Sequence, residues 1–252
     1  MMEYKLDKIL AERPLKTIYL DGNKVIKLMG KEYPASDVLS EALNLAAVGE
    51  TKLKVPKLIE VTQIDGKWAI VWEYVKGITL AELMKNDPGH FDQYFEQFVD
   101  IQLEMHQYTA TRLPLLLDKM HRKLFASGLD ATVRYELRTR LDSLPRHTKL
   151  CHGDYNPSNI IITAEKEAYI IDWSHATQGN ASADAAQTYI LFYISKKTDI
   201  AEKYLSSFCK KSDTARQYVD KWISIVAASQ IAKVKPEEKD ILLQWANVVE
   251  YE

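Results

Sequence analysis

Apolar and polar residues alternate over short stretches in the first third of the chain, and the rhythm then changes to the three- and four-residue spacing of helices. Ile9-Leu10, Thr17 to Leu20 and Lys24 to Leu28 read as three strands, with Asp21-Gly22 as a tight turn between the last two. A second hairpin follows in Leu58 to Val61 and Trp68 to Trp72, joined through Asp65-Gly66. Between the hairpins, Ser36 is placed to cap a helix that runs to about Val48 and ends at Gly49. These elements predict a small antiparallel sheet crossed by one helix. From Leu80 the pattern is helical, first through Phe91, Tyr94, Phe95, Phe98, Val99, Gln102 and Met105, then over Pro114 to Phe125 and over Asp130 to Leu144. The carboxy-terminal part reads as further helices over Ala185 to Ile194, Ile200 to Phe208, Ala215 to Ile231 and Pro236 to Val249. The fold class expected is α+β: a sheet lobe with one helix, and a larger, mainly helical lobe.

One stretch interrupts the helical half. Lys149 to Ser174 reads as strand, polar loop, strand, turn, strand: Leu150-Cys151, then His152-Gly153-Asp154, then Asn159, the run Ile160 to Ile162, and Tyr169 to Ile171 leading into Asp172. Three oxygen-bearing side chains, Asp154, Asn159 and Asp172, thus stand at the ends of short apolar strands, where a group is held rigidly yet reaches solvent. Asp154 and Asn159 are five residues apart, the separation of the catalytic Asp and metal-binding Asn in kinase catalytic loops. Asp172 follows Asn159 by thirteen residues, enough for a hairpin to bring the chain back beside the loop. Mg²⁺ takes few hard oxygen ligands from protein and completes its shell with phosphate and water. Asn159 and Asp172 would supply such ligands, and Asp154, if not a metal ligand itself, is left to orient a hydroxyl and take its proton. Any one of these residues alone is ordinary turn chemistry; the combination at this spacing is what points to a site.

The run His152-Gly153-Asp154-Tyr155-Asn156-Pro157-Ser158-Asn159, followed by Ile171-Asp172-Trp173, resembles the aminoglycoside phosphotransferase and choline kinase group of small-molecule kinases. The resemblance implies a bilobal, protein-kinase-like fold, with residues 1–75 as the nucleotide-binding lobe and 76–252 as the lobe carrying the catalytic loop and the acceptor site. It also implies ATP and Mg²⁺ as cofactors, a small-molecule hydroxyl acceptor, and roles for further residues. Lys27, inside the strand Val25 to Leu28, stands where such enzymes place the lysine that holds the α- and β-phosphates; Lys24 is the alternative. Glu41 flanks the apolar arc of Val38, Leu39, Ala42, Leu45 and Ala46 on the helix, and a Lys27–Glu41 pair is expected. Glu73, Tyr74 and Val75 would offer main-chain groups to adenine at the hinge between lobes. An acidic residue near Asp184 usually holds the catalytic loop. The chain departs from the pattern in one place: the connection Glu12-Arg13-Pro14-Leu15-Lys16, expected to cover the phosphates, has no glycine; backbone amides can still contact phosphate there, and Arg13 or Lys16 could help by charge.

Composition adds exclusions. The 252 residues suffice for a two-lobed enzyme, and the 46% apolar content is that of a globular chain. A net charge of −2 gives no general attraction to nucleic acid or anionic membrane. Two cysteines, Cys151 and Cys209, form no disulfide framework, and the amino terminus lacks an apolar signal core, so a cytoplasmic location is expected. His106 and His121 are read as core or surface residues, and His152 as packing within its loop with Asp154 as the base. His175, Trp222, Trp245, Glu250 and Glu252 are weak pointers to an acceptor pocket. Two rivals remain in view: a kinase-like protein that binds nucleotide with little transfer, and a protein kinase. The second is disfavoured because Asp172 precedes Trp173-Ser174 and not Phe-Gly, and no long activation segment is visible.

Overall fold

The computed structural model describes residues 4–232 and 236–246. In chain order the elements are β1 (Lys8–Arg13), β2 (Lys16–Asp21), β3 (Lys24–Met29), α1 (Ala35–Gly49), β4 (Leu58–Ile64), β5 (Lys67–Glu73), β6 (Ile78–Thr79) and α2 (Leu80–Asn86). There follow α3 (Phe91–Met105), α4 (Leu116–Phe125), α5 (Ala131–Ser143), β7 (Lys149–Cys151), β8 (Ile160–Ile162), β9 (Ala168–Ile170) and β10 (Thr177–Gly179). The helices α6 (Ala181–Ile194), α7 (Thr198–Ser212), α8 (Arg216–Gln230) and α9 (Pro236–Ala246) complete the described chain. Grouped by contact, the chain forms two compact units interleaved in sequence, Met1–Pro88 with Pro157–His175, and Gly89–Asn156 with Ala176–Glu252.

The first unit is built on an antiparallel sheet of order β1-β2-β3-β5-β4. Period-two alternation gives this sheet two apolar faces. Ile26, Leu28, Ala69 and Val71 pack on one face with Tyr19 and Ile64. Met29 and Ile70 pack on the other against Val38 and Ala42 of α1. Lys27 and Met29 share strand parity, so Lys27 is on the α1 side. The β4–β5 turn is Asp65-Gly66, both at positive φ (50° and 74°), the geometry of a type I′ turn. The β2–β3 turn differs from the expected Asp21-Gly22. Asp21 pairs with Lys24, so Gly22-Asn23 form the loop, and it is Gly22 that carries the positive φ of 59°.

Helix α1 also starts differently. Its cap is Pro34, in an extended conformation with no side-chain cap bond, and Ser36 lies one position inside the first turn. Proline fixes its own φ and has no N–H to satisfy, so the helix begins directly after it and bypasses the serine. A second, three-stranded sheet, β6-β8-β9, belongs to the same unit. Gly77 permits the close approach of its backbone to β8, because a Cβ there would stand 2.4 Å from the Ile162 carbonyl oxygen.

The second unit is helical, with α6 and α8 buried at its centre and β7 paired to β10. Helix α6 begins at Ala181, four residues before the expected start at Ala185; it follows β10 at once and its first turn is capped by Asn180 (Ser182 N–H to Oδ1, 2.9 Å). The aromatic core stacks Phe98 on Tyr155 at 4.7 Å, with Phe192 and Tyr204 beside them. The described part of α9 ends at Ala246; Val249, Glu250 and Glu252 lie outside the described residues.

Candidate functional site

Lys27 is 2% exposed, a charged group with almost no access to water. Burial on this scale requires partners. Its ammonium pairs with the Glu41 carboxylate and stands 3.5 Å from Oδ1 of Asp172. Burial pulls the Lys27 pKa down, but Asp172 and Glu41 outweigh it, and the group is held above the ordinary lysine range. Lys24, the alternative, faces the other way and lies over the Tyr4 ring at 5.4 Å.

Helix α1 holds both ends of this arrangement. Glu41 and Asn44 are three residues apart and therefore share a helix face, and both are buried. Glu41 takes Lys27, while Asn44 Nδ2 donates to the carbonyl of Trp173 at 3.1 Å, one residue beyond Asp172. The Trp173 indole N–H is itself tied to the Ile170 carbonyl at 3.0 Å. Asp172 has φ = 62°, the left-handed region, which Asp tolerates better than most residues. Such a conformation persists only where its surroundings enforce it, and it is common at functional sites. Ile171 N–H donates to the Asn159 carbonyl at 2.9 Å, which sets the backbones at Asn159 and Asp172 side by side.

These groups open on a cavity of about 210 Å³. Ala11, Arg13, Lys16, Ile18, Ile70 and Trp72 line it from the sheet, Glu41 and Leu45 from α1, and Asn159, Ile171 and Asp172 from the segment around β8 and β9. Three cationic side chains (Arg13, Lys16, Lys27) meet two carboxylates (Glu41, Asp172) on its walls, an excess of positive charge suited to an anion. Burial, followed by the charge on Lys27, holds the Lys16 pKa below the usual lysine range. Among the described residues no cluster of three or more His, Cys, Asp or Glu is arranged to hold a metal ion. The hard oxygens of Asn159 and Asp172 fit Mg²⁺ only as part of a shell completed by phosphate and water.

The hinge residues are differently placed. Glu73 ends β5 and its N–H donates to the Lys57 carbonyl at 3.0 Å; the Tyr74 N–H donates to the Asn23 carbonyl at 2.8 Å. Trp72, and none of Glu73, Tyr74 or Val75, lines the cavity.

Asp154 belongs to the second unit, in a loop fixed from several sides. Its N–H donates to Nδ1 of His152 at 3.2 Å, and its carbonyl accepts from Asn156 Nδ2 at 3.0 Å. His152 is fully buried, edge-on to Tyr155, so it serves the loop's packing. Gly153, at φ = 78°, donates its N–H to Asp184 Oδ1 at 2.7 Å. The other oxygen of Asp184 meets His106 Nε2 at 3.0 Å and Gln102 Nε2 at 3.2 Å. Burial disfavours the Asp184 carboxylate, but the His106 bond, its charge and the Gly153 N–H hold the pKa below the ordinary range. Gln102 and His106 were not foreseen as partners of Asp184. Their four-residue spacing on α3 was a signal that they share a face, but it carried no address. Trp222 is buried in α8, and Trp245 packs against Tyr193 at 4.6 Å, so both are core residues; His175 is exposed and outside the cavity lining.

Residues 17–220 match the Phosphotransferase enzyme family (APH). The chain belongs to that family. Solved structures agree on the fold, an antiparallel-sheet amino-terminal lobe with a helical carboxy-terminal lobe of the kinase-like type. An apo thermostable mutant of aminoglycoside phosphotransferase APH(4)-Ia superposes with a TM-score of 0.67 at 12% identity, covering 95% of this chain and 92% of that one. A choline/ethanolamine kinase family protein from Mesorhizobium loti gives 0.60 at 17% identity, covering 95% and 86%. ADP-bound aminoglycoside phosphotransferase APH(2'')-Ib gives 0.63 at 16%, covering 94% and 92%. No curated protein sequence matches the chain. For this phosphotransferase family member, Lys27, Glu41, Asn159 and Asp172 gather in one unit, while Asp154 and its supports lie in the other.

Proposed function

We propose that the protein transfers the γ-phosphate of ATP to a hydroxyl group of a small molecule with the help of Mg²⁺. The observation that carries this reading is Lys27, buried between Glu41 and Asp172 and facing a cationic cavity that Asn159 also lines. In this reading residues 1–75 bind the nucleotide, and 76–252 supply the catalytic loop and acceptor site. A neighbour solved with AMP-PNP and hygromycin B, and another solved with ADP, support nucleotide binding as the family's shared property.

Lys27, kept charged by Glu41, holds the non-transferred phosphates. Trp72 and Ile70 give an adenine ring an apolar wall. An amide has one proton, and those of Glu73 and Tyr74 are already used within the protein. Hinge recognition of the base therefore falls to the Glu73 carbonyl and to Val75. Asn159 and Asp172 hold Mg²⁺, which when bound neutralises charge on the phosphates. Asp154 aligns the acceptor hydroxyl. As the acceptor oxygen bonds to the γ-phosphorus and the bond to the bridging oxygen breaks, Asp154 takes the hydroxyl proton and ADP leaves. The Gly153–Asp184 bond keeps Asp154 positioned for this task.

A cytoplasmic location accords with two unpaired thiols, Cys151 and Cys209. Among the described residues no helix is long and apolar enough to cross a membrane. The test is ATP consumption by purified protein with Mg²⁺ against a panel of amino-alcohols, sugars and aminoglycosides. Acceptor-dependent ADP release that stops with EDTA is the expected result. ATP binding without release against any acceptor would favour a nucleotide-binding protein with no transfer.

A further inference from the structure

The β1–β2 connection, expected to cover the phosphates, contains no glycine. A glycine-rich loop cradles phosphate with successive backbone N–H groups. Here the two-residue tip is Pro14-Leu15, closed by the pairing of Arg13 with Lys16. Pro14 has no N–H to offer. Leu15 is held down by its carbonyl, which accepts from Gly30 N–H at 2.9 Å. The tip therefore offers phosphate at most the Leu15 amide, and the Gly30 bond anchors it to the end of β3.

The ladder puts something else there. Ile18 lies opposite Lys27, and Lys16 lies opposite Met29. Lys16 and Lys27 are therefore diagonal neighbours on one face, at a backbone spacing of roughly 7–8 Å that two long side chains span. Arg13 lies directly across from Lys16 on β1. All three side chains line the same cavity. Glu41 is engaged by Lys27, so the second ammonium, half-buried and near the first, stands in a position that costs the empty protein stability. A polyanion between the two lysines reverses that cost.

We infer that Lys16 is a second phosphate-holding lysine, which does with a side-chain cation what glycine amides do in related loops. The inference rests on the cavity being the nucleotide site, as proposed above. It makes Lys16 a discriminator of phosphate number, with Arg13 a weaker contributor at the rim.

The test is calorimetric titration of the full-length protein with ATP, ADP and AMP, in Mg²⁺ and separately in EDTA. For wild type the expected affinity order is ATP, ADP, AMP. In Lys16→Gln the affinity for ATP falls about tenfold, for ADP less, and for AMP less than twofold, while Lys16→Arg keeps most of the ATP affinity. The melting temperature of Lys16→Gln is not below that of wild type; if it is, Lys16→Met, which keeps the apolar stem, replaces it. Unchanged ATP affinity in Lys16→Gln, or a loss shared equally by AMP, overturns the inference and leaves the proposed function standing. Failure of wild type to bind ATP at all overturns the proposed function itself.

Discussion

Two buried charge clusters carry the candidate chemistry, and they are built in opposite ways. Around Asp184 the carboxylate is closed in, although Nδ1 of its partner His106 is buried without a hydrogen-bond partner among the described residues. The side chain is fully buried, one oxygen accepts from the Gly153 N–H, the other meets Gln102 and His106, and Gln102 is in turn bonded by Tyr204 at 2.6 Å. Around Lys27 the network is open. Glu41 is 10% exposed, Asp172 is 31% exposed with a left-handed backbone, and a third cation, Lys16, crowds the pair from the cavity wall. A closed network fixes shape; an open one has charges ready to exchange partners when a ligand arrives. In the proposed function, the closed cluster is the one that holds the catalytic loop and the open one is the one that handles phosphate.

The comparison breaks most visibly at Asp184. Asp184→Ala leaves buried donors from Gly153, Gln102 and His106 without an acceptor, and a loss of about 3–5 kcal/mol in unfolding free energy is expected from urea denaturation. A loss below about 1 kcal/mol would show the network is not closed in solution. Lys27→Met should cost less stability, on the order of 1–3 kcal/mol, because Glu41 reaches the cavity and can be solvated. Its effect on ATP binding should be the larger one, a loss greater than tenfold by calorimetry. The double variant Lys27→Met with Glu41→Leu should recover most of the stability and none of the binding.

The two clusters also differ in their response to pH. The Asp184 pKa is depressed on folding, so its contribution is fully present above the ordinary carboxylate range, about 3.9, and is lost as pH falls through the folded value. The Lys27 pKa is raised, so its contribution is fully present below the ordinary lysine value, about 10.4, and is lost only as pH rises through the folded one. Thermal melts from pH 3 to 7 should show a flatter acid limb in Asp184→Asn than in wild type, and an unchanged acid limb in Lys27→Met. The smallest effect belongs to the exposed pair Lys54–Glu167, 49% and 40% exposed, where Lys54→Ala should shift stability by less than about 1 kcal/mol.

Much of this arrangement is legible in the chain because it is local. The resemblance singles out Lys27 inside β3, and a 100° wheel puts Glu41 at the edge of the apolar arc of α1; the two readings meet in the observed pair. Hairpins and helical rhythm predict a sheet lobe with one helix and a helical lobe, and the resemblance of the His152–Asn159 run adds the kinase-like fold. What escaped needed either tertiary information or a finer local competition. Gln102, His106 and Asn44 are polar residues on helix faces, and nothing in their own neighbourhoods names Asp184 or the Trp173 carbonyl as their partners. Ser36 is displaced as cap by Pro34, and the β2–β3 turn falls on Gly22-Asn23, one residue later than expected, with Gly22 at its first position in positive φ. The early start of α6 follows from Asn180, a cap hidden inside a run of small residues.

The central claim is that Asp154, on a backbone anchored by His152 and Asn156, acts on the acceptor while the cluster around Lys27 holds the donor. The most direct test is Asp154→Asn, assayed in parallel for ATP affinity and for transfer of labelled γ-phosphate to an acceptor that wild type uses. The account predicts ATP affinity within about threefold of wild type and transfer reduced by a factor on the order of 10² or more. Transfer at the wild-type rate in Asp154→Asn, with ATP binding intact, would contradict it.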